Sequence, residues 1–245
     1  MCRVESYGIG FMCSALIGGR YTACYFTHRL NYHVENLMEE AQTIWDKRYS
    51  SSKVSSTYDN WLDPWHSLFV PGSMILDLGC GRGYDTQYLI SKGCRVIAVD
   101  FSKVVLGMVQ QNVEQAAVVQ VDTSRGLPFS AQQFHIIIAN LSLHYFPWEQ
   151  TCSIIGQVKD CLKEKGKLLA RFNSVNDVNY GASGHRELEK NYFLVNGEGK
   201  HFFDRQSLEE LFGVGWRIES LEEKILHRFG EPKMVWEIVV EKAGQ

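Results

Sequence analysis

Short apolar segments alternate with segments of helical periodicity through the middle of the chain. The apolar segments are rich in β-branched residues, and the segments between them repeat apolar residues every three or four positions. This alternation is typical of βαβ units, and it predicts a mostly parallel sheet with helices on its faces. The predicted strands are 74–79, 95–100, 116–122, 134–141 and 167–173, and the helices between them include 84–93, 102–112 and 149–166.

Two further segments close the predicted sheet near the carboxyl end. They begin at Trp216 and at Lys233, and Gly230, Glu231 and Pro232 lie between them, which indicates an antiparallel hairpin. A short helix at 205–213 precedes the hairpin. The predicted fold class is therefore α/β, with a doubly wound, seven-stranded, Rossmann-like sheet that is parallel except for its C-terminal hairpin.

The folded domain is predicted to begin near Val34. From there to Trp45 apolar residues recur at helical spacing, with acids toward the start and bases toward the end, as the helix dipole favours. We therefore expect residues 1–33 to be a poorly ordered or non-native extension and 34–245 to be one domain. The apolar stretch 7–19 has about half the length that a membrane-spanning helix needs, so no membrane association is expected.

The bulk composition argues against several classes of function. The 245 residues carry a formal net charge of −3 without a run of lysine or arginine, so DNA is not expected as a partner. The seven cysteines form no CxxC pair or zinc-spaced cluster, which indicates reduced thiols, a cytoplasmic protein and no metal site. A monomer and a homodimer are both compatible with the sequence.

The first predicted strand runs into the glycine-rich sequence ILDLGCGRGYD, residues 75–85. Glycine-rich turns of this kind usually bind dinucleotides through the fingerprint GxGxxG. The third glycine would fall at Tyr84 or at Thr86, so both registers fail. Asp77 and Asp85 would also repel a pyrophosphate, at a cost of about 4 kcal/mol for each contact near 4 Å.

A cationic cofactor without phosphate suits these acids better. S-adenosylmethionine carries an ammonium and a sulfonium, and glycines let the backbone approach a cofactor closely. Asp100 ends the second predicted strand, where it could accept hydrogen bonds from both ribose hydroxyls; Asp122 ends the third, near an adenine amine. Such strand ends are where open sheets bind ligands. Asp122 could instead only start a turn.

Four motifs resemble, in order and spacing, those of class I S-adenosylmethionine-dependent methyltransferases. They are ILDLGCGRG, VIAVDFS, VQVDTSRGLPF and ANLSLHYF. The resemblance covers about residues 45–242. The opening WDKRY and the short chain after the fifth strand are most similar to small-molecule methyltransferases, in particular the tellurite-resistance and thiopurine groups.

The resemblance implies a set of cofactor-binding residues. Asp77, Gly79 and Gly81 would line the methionine end, Asp100 would bind ribose, Asp122 and Thr123 would border adenine, and Asn140 would lie beside the reactive methyl. Cys80, Gly83 and Phe101, in the same motifs, complete the set.

Methyl transfer is an in-line displacement, so the protein mainly supplies alignment and a dry pocket. A soft nucleophile such as a thiolate, a selenide or a tellurite-derived species needs little base catalysis, whereas an alcohol or phenol needs a nearby base. The candidate catalytic residues are His144, His185 and Tyr192, although His144 could be a packing residue or a helix cap. The sequence ANLS lacks the residues of the NPPY-type tetrapeptide, which argues against DNA adenine methylation.

Two segments are predicted to cover the acceptor. The first contains Trp45, Tyr49, Trp61 and Trp65; the second, 174–205, contains Tyr180, His185, Tyr192 and Phe193. The second shows no clear period and is predicted to be a lid, or else a solvated loop on the sheet edge. We therefore expect a methyltransferase with a small-molecule acceptor. The alternatives are a methyltransferase acting on RNA or protein, which a basic surface would favour, and a non-catalytic S-adenosylmethionine-binding protein, which a damaged glycine motif would favour.

Overall fold

The structure, a computed structural model, describes residues 42–50 and 58–244. The chain divides into two compact units, Met1–Trp45 and Asp46–Gln245. Residues 42–50 are helical and are named α1. The predicted extension at 1–33 and the predicted helix start at Val34 lie outside the described residues.

The second unit is built on two sheets. Its strands in the described residues are β1 (Met74–Leu78), β2 (Arg95–Asp100), β3 (Ala117–Gln120), β4 (Phe134–Asn140), β5 (Leu162–Asn173), β6 (Arg186–Glu189), β7 (Tyr192–Val195), β8 (Glu198–His201), β9 (Trp216–Leu226) and β10 (Lys233–Lys242). The main sheet has the order β3-β2-β1-β4-β5-β10-β9. Its first five strands pair in parallel, and β10 pairs antiparallel with β5 and β9. The predicted parallel sheet with an antiparallel end is confirmed.

Helices cover both faces of the main sheet. They are α2 (Tyr84–Ser91), α3 (Lys103–Asn112), α4 (Trp148–Cys161) and α5 (Arg205–Leu211). Alternate residues of β1 face opposite sides, so Leu76 packs in the cluster that contains α4 and α5, whereas Ile75 packs in the cluster that contains α2. Ser102 caps α3 by accepting a hydrogen bond from the Val105 amide at 3.2 Å. No helix in the described ranges is both long and apolar enough to cross a bilayer.

The helix predicted over 149–166 is shorter than expected. It ends at Cys161, and β5 begins at Leu162, which is fully buried and pairs with Phe134. The strand register then shifts, and regular pairing resumes at Lys167, where the strand was predicted to begin. Burial of Leu162 in the sheet replaces the last helical turn that the apolar spacing suggested.

The segment 174–205 contains regular structure, so the prediction of a segment without periodic structure is wrong. β6, β7 and β8 form an antiparallel sheet of three strands, here called the small sheet. Asn196 and Gly197 connect β7 to β8 with φ values of 54° and 84°. Positive φ at both positions is what a two-residue hairpin turn needs, and Asn-Gly is its usual sequence. This signal was present in the chain.

The segment that carries the small sheet leaves and rejoins the main sheet at one place. Ser174, directly after β5, forms a bridge with Phe203, directly before the cap of α5. The Phe203 amide donates to the Asn173 carbonyl at 2.8 Å, and the Val175 amide donates to the Phe203 carbonyl at 3.0 Å. The two ends of this insertion are therefore neighbours.

Candidate active site

The glycine loop after β1 packs tightly against two neighbouring segments. Gly79, Gly81 and Gly83 have φ values of 74°, 50° and 78°, which favour glycine. A Cβ atom at Gly79 would lie 2.3 Å from Ser142 Cβ, and one at Gly83 would lie 2.9 Å from Val109 Cγ2. The first and third glycines are therefore required by packing within the protein itself.

Asp100, at the end of β2, holds the middle of the glycine loop. Its Oδ2 accepts a hydrogen bond from the Gly81 amide at 3.0 Å, and its Oδ1 accepts one from the Ser102 amide at 2.9 Å. Burial raises the pKa of Asp100, and these backbone hydrogen bonds oppose that rise. A carboxylate has about four acceptor positions, so Asp100 can accept further hydrogen bonds from a ligand.

Asp77 is buried in β1 beneath the glycine loop. Its Oδ2 accepts a hydrogen bond from Thr86 Oγ1, in the first turn of α2, at 2.5 Å. Burial raises the pKa of Asp77 to about 8; the Asp85 carboxylate adds to the rise, and the Thr86 hydroxyl opposes it. The charged groups that act most strongly on Asp77 are thus other acids, and a cation brought close to them would be favoured.

Asp85 connects α2 to the end of β4. It accepts hydrogen bonds from Trp61 Nε1 and from Asn140 Nδ2, both at 2.8 Å. The indole N–H of Trp61 can only donate, so Asp85 Oδ1 accepts from it, and Asp85 Oδ2 accepts from the NH₂ group of Asn140. This leaves Asn140 Oδ1 buried with no hydrogen-bond donor among the described residues.

The predicted adenine end lies after β3. Asp122 Oδ1 accepts hydrogen bonds from the Ser124 amide at 3.0 Å and the Ser124 hydroxyl at 2.6 Å, and so caps the turn Thr123–Arg125. Its Oδ2 is buried and accepts no hydrogen bond in the described part of the chain, with Arg125 Nε 3.5 Å away. Asp122 is therefore a turn cap with one oxygen left for a ligand. The Phe101 carbonyl, on the next strand end, accepts from Gln120 Nε2 at 3.0 Å.

Two further predicted site residues are Cys80, in the glycine loop, and His144, in the turn after β4. Cys80 is buried within the loop, and burial raises the pKa of its thiol. His144 lies in the turn Leu143–Tyr145, which follows β4. It is buried, its Nδ1 has no partner in the residues described, and burial lowers its pKa well below the ordinary value. The imidazole is therefore neutral.

The small sheet contacts the turn after β4. Tyr192 Oη donates to the Tyr145 carbonyl at 3.1 Å, so the structure brings this predicted residue to the turn that holds His144. Arg48, in α1, forms an ion pair with Glu198 of β8 at 2.7 Å. His185 is exposed at the start of the small sheet, and no hydrogen bond joins it to these residues.

Residues at the end of α1 also reach the glycine loop. Arg82 Nη2 donates to the Tyr49 carbonyl at 3.2 Å, and Tyr49 Oη lies 3.3 Å from the position that a Cβ atom at Gly81 would take. Ser102 Oγ donates to Asp46. Burial raises the pKa of Tyr49, with the Asp100 carboxylate adding to the rise.

Several site residues could not be identified from the sequence. The sequence marks Asp85 only as an acid that would repel phosphate. Its hydrogen bond with Asn140 cannot be predicted from either motif, because the two residues are 55 positions apart. Within the described ranges, no group of three metal-ligating side chains is placed to hold a metal ion.

Comparison with known proteins finds relatives of the central part of the chain. Residues 75–166 match the family described as a methyltransferase domain. A protein named as an uncharacterized methyltransferase from Synechocystis sp. is 38% identical over 96 residues, which are 39% of this chain and 45% of that protein. The bifunctional biotin biosynthesis protein BioHC from Cellvibrio japonicus is 26% identical over 196 residues, 72% of this chain and 36% of that protein. The chain thus spans less than half the length of these curated relatives.

Solved structures share the fold across most of the chain. A SAM-dependent methyltransferase from Methanosarcina mazei superimposes with a TM-score of 0.64 at 19% identity, over 78% of this chain and all of that one. An S-adenosylmethionine-dependent methyltransferase from Mesorhizobium loti gives 0.60 at 20% identity, over 75% and 97%. The cyclase SpnF gives 0.58 at 15% identity, over 80% and 86%. The chain therefore shares the Rossmann-like fold of these structures, and its residues 75–166 match the methyltransferase domain family.

Proposed function

We propose that this chain is an S-adenosylmethionine-dependent methyltransferase that acts on a small-molecule acceptor. The observation that carries the proposal is the acceptor character of the strand ends next to the glycine loop. Asp77, Asp100, Asp122 and Asn140 lie at or just after the ends of β1 to β4. The strongest charges around Asp77 are acids, so the site favours an ammonium or sulfonium and disfavours a phosphate.

The residues present fit the donors of this cofactor. Asn140 Oδ1 and Asp122 Oδ2 are buried acceptors that take no hydrogen bond from the described residues, and such oxygens usually have a partner. Asp77 and Asn140 would bind the methionine end, Asp100 the ribose and Asp122 the adenine amine. When bound, S-adenosylmethionine supplies an electrophilic methyl group that an acceptor takes as the sulfonium carbon–sulfur bond breaks.

The groups near the turn after β4 suit a soft nucleophile. Burial raises the pKa values of Tyr49 and Tyr145, so both phenols stay protonated, and His144 is a weakly basic neutral imidazole. Among the described residues, these groups supply alignment rather than a strong base. We therefore favour a sulfur, selenium or tellurium acceptor, as the resemblance to tellurite-resistance and thiopurine methyltransferases implies.

The contacts of the small sheet support a small acceptor. Tyr192 and Glu198 join it to the turn after β4 and to α1, and these contacts would exclude water from a small ligand held beneath the sheet.

The test has two stages. Calorimetry should show binding of S-adenosylmethionine and S-adenosylhomocysteine without metal and no binding of NAD; the reverse pattern would refute the cofactor. A panel of small thiols, phenols, amines and oxyanions, together with total RNA and protein, is then incubated with radiolabelled methyl donor. Label in a small product supports the proposal, whereas label only in RNA or protein supports the alternative class. Binding without any transfer would indicate a non-catalytic protein of this fold.

A further inference from the structure

Asn140 lies at the end of β4, beside the glycine loop, and the two ends of its amide have different surroundings. Asp77 of β1 pairs with Ile138 of β4, so Asn140 comes level with Gly79, two residues further along each strand. Asn140 Nδ2 donates to Asp85 Oδ2 at 2.8 Å, whereas Asn140 Oδ1 is buried without a donor among the described residues. Which end of the amide is left for a ligand therefore depends on Asp85.

Asp85 holds this orientation because each of its carboxylate oxygens faces a donor. Trp61 Nε1 donates to Asp85 Oδ1 at 2.8 Å, and an indole nitrogen can only donate. An ionised carboxylate can only accept, so the NH₂ group of Asn140, rather than its carbonyl oxygen, faces Asp85 Oδ2. Asp85 and Trp61 are 6% and 5% exposed, so water cannot readily replace either hydrogen bond.

Arg171 fixes the far end of this network. Its guanidinium carbon lies 4.7 Å from the centroid of the Trp61 ring, and it donates to Asp59 at 2.6 Å and to Glu237 at 2.9 Å. A guanidinium is attracted to the face of an indole, so Trp61 is held between Arg171 and Asp85. Burial raises the pKa of Asp85, while the hydrogen bonds that it accepts and the charge of Arg171 oppose that rise and favour the ionised form.

We propose that Asp85 and Trp61 are positioning residues, which orient the Asn140 amide so that its oxygen faces the sulfonium and methyl of S-adenosylmethionine. This inference rests on the proposed function, because it concerns the same cofactor site. A fixed acceptor oxygen favours a positive centre, whereas an NH₂ group in its place would repel one. The network thereby favours the charged methyl donor over S-adenosylhomocysteine, whose sulfur is neutral.

A ratio of affinities tests the orientation of Asn140. Calorimetry measures the dissociation constants of S-adenosylmethionine, of S-adenosylhomocysteine and of sinefungin, an analogue with an amine-bearing carbon in place of the methylated sulfur. In Asp85→Asn the new amide must use its oxygen for Trp61 Nε1, so its NH₂ group faces Asn140 and the Asn140 amide turns over. We expect the preference for the two cationic ligands over S-adenosylhomocysteine to fall about tenfold. An unchanged preference would overturn the proposal.

A double variant should reverse this effect without restoring the carboxylate. In Asp85→Asn with Trp61→Phe the indole donor is gone, so the new amide can turn its oxygen toward Asn140 Nδ2. We expect the double variant to regain most of the preference that Asp85→Asn loses, although it has one native hydrogen bond fewer. Trp61→Phe alone should keep a preference close to that of the wild type. A purely structural role predicts a double variant no better than Asp85→Asn, and that result would refute the positioning role.

Exchanging the two side chains gives a third test. In Asp85→Asn with Asn140→Asp, the amide at position 85 accepts from Trp61 and donates to the carboxylate at position 140, whose second oxygen faces the cofactor. This variant keeps every hydrogen bond of the network, so it should retain the preference for the cationic ligands. A loss like that of Asp85→Asn would show that an oxygen at this position does not set the preference.

Matched controls remove similar groups elsewhere in the fold. Trp236→Phe loses a buried indole hydrogen bond to the Phe203 carbonyl at 2.9 Å, and Asp177→Asn changes a buried carboxylate that bonds to Lys233 at 2.6 Å. Both controls should lower the resistance to urea and leave the ratio of affinities unchanged. If the ratio falls in them as much as in Asp85→Asn, it reports general destabilisation and the assignment is wrong.

A measurement without ligand separates this inference from the proposed function. NMR of ¹⁵N-labelled protein records the side-chain amide protons of Asn140, which are identified by their absence in Asn140→Asp. A carboxylate acceptor moves a bonded amide proton downfield, so Asp85→Asn should move this resonance upfield. If it does so but neither S-adenosylmethionine nor S-adenosylhomocysteine binds, Asp85 orients Asn140 and the proposed cofactor is wrong. If both ligands bind and neither the resonance nor the affinity ratio responds to Asp85→Asn, the proposed cofactor stands and the positioning role is refuted.

Discussion

The close contact between Gly79 and Ser142 leads to a quantitative prediction. In Gly79→Ala, the new Cβ would lie 2.3 Å from Ser142 Cβ while the backbone keeps φ at 74°. The positive φ costs about 1–2 kcal/mol for alanine. Overpacking adds about 1–3 kcal/mol. We therefore expect the free energy of unfolding to fall by about 2–5 kcal/mol.

Two further variants separate these contributions. Gly184 has a φ of 78° and no atom within 4 Å of its would-be Cβ, so Gly184→Ala should cost only about 1–2 kcal/mol. Ser142→Gly removes the obstructing atom and loses the 2.6 Å hydrogen bond from Ser142 Oγ to the Leu78 carbonyl, worth about 0.5–1.5 kcal/mol. The double variant Gly79→Ala with Ser142→Gly should be more stable than the sum of the single effects by about 1–3 kcal/mol.

Urea unfolding of the four variants measures these energies, and titration with S-adenosylhomocysteine measures the effect on the glycine loop. We expect Gly79→Ala to weaken ligand binding and the double variant to recover part of it. The packing argument fails if Gly79→Ala costs no more than Gly184→Ala, or if the double-mutant cycle shows no coupling.

Three further predictions concern the cofactor site and the small sheet. Asp100→Asn should destabilise the glycine loop and weaken S-adenosylhomocysteine binding, because one of two backbone hydrogen bonds to a charged acceptor, worth about 1.5–3 kcal/mol, is lost; unchanged melting and affinity would contradict this. Folding raises the pKa of Asp77 to about 8, so the stability that its protonated form contributes is full at acid pH and is lost as the pH rises through about 8. Between pH 6 and pH 9 the urea midpoint should therefore fall more in the wild type than in Asp77→Asn. An equal fall in both proteins would exclude this linkage. Tyr192→Phe should lower turnover because it loses the bond to Tyr145, whereas His185→Ala should not, since that side chain is exposed; equal rates in both variants would show that the small sheet needs no such contact.

Much of the sheet could be predicted because its signals are local. The strand 95–100 has the predicted bounds, since a β-branched run is flanked by clear breaks. Asp100 could be placed at a strand end by the same reasoning, because ligands bind where parallel strands end. The end of α4 could not be predicted, since it depends on the distant pairing of Leu162 with Phe134.

The interior of the site depends on contacts that no local pattern contains. Asp85 and Asn140 are 55 positions apart, so their hydrogen bond could not be read from either motif. Lys200 lies in β8 and Arg228 in the connection between β9 and β10, and no sequence motif marks either position. The small sheet is a different case, because Asn196 and Gly197 signalled a hairpin that the polar composition of the segment obscured.

The neighbouring ends of the 174–203 insertion bear on how this scaffold can diversify. The Phe203 amide is already bonded to the Asn173 carbonyl at 2.8 Å, so a replacement segment of different length would begin and end at a closed junction. Changing the length of such a segment costs little additional loop-closure entropy. The parallel strands that carry Asp77 and Asp100 lie outside the exchanged piece. One contiguous segment can therefore be replaced to change the proposed acceptor site, while the strands that carry the proposed cofactor-binding residues stay the same.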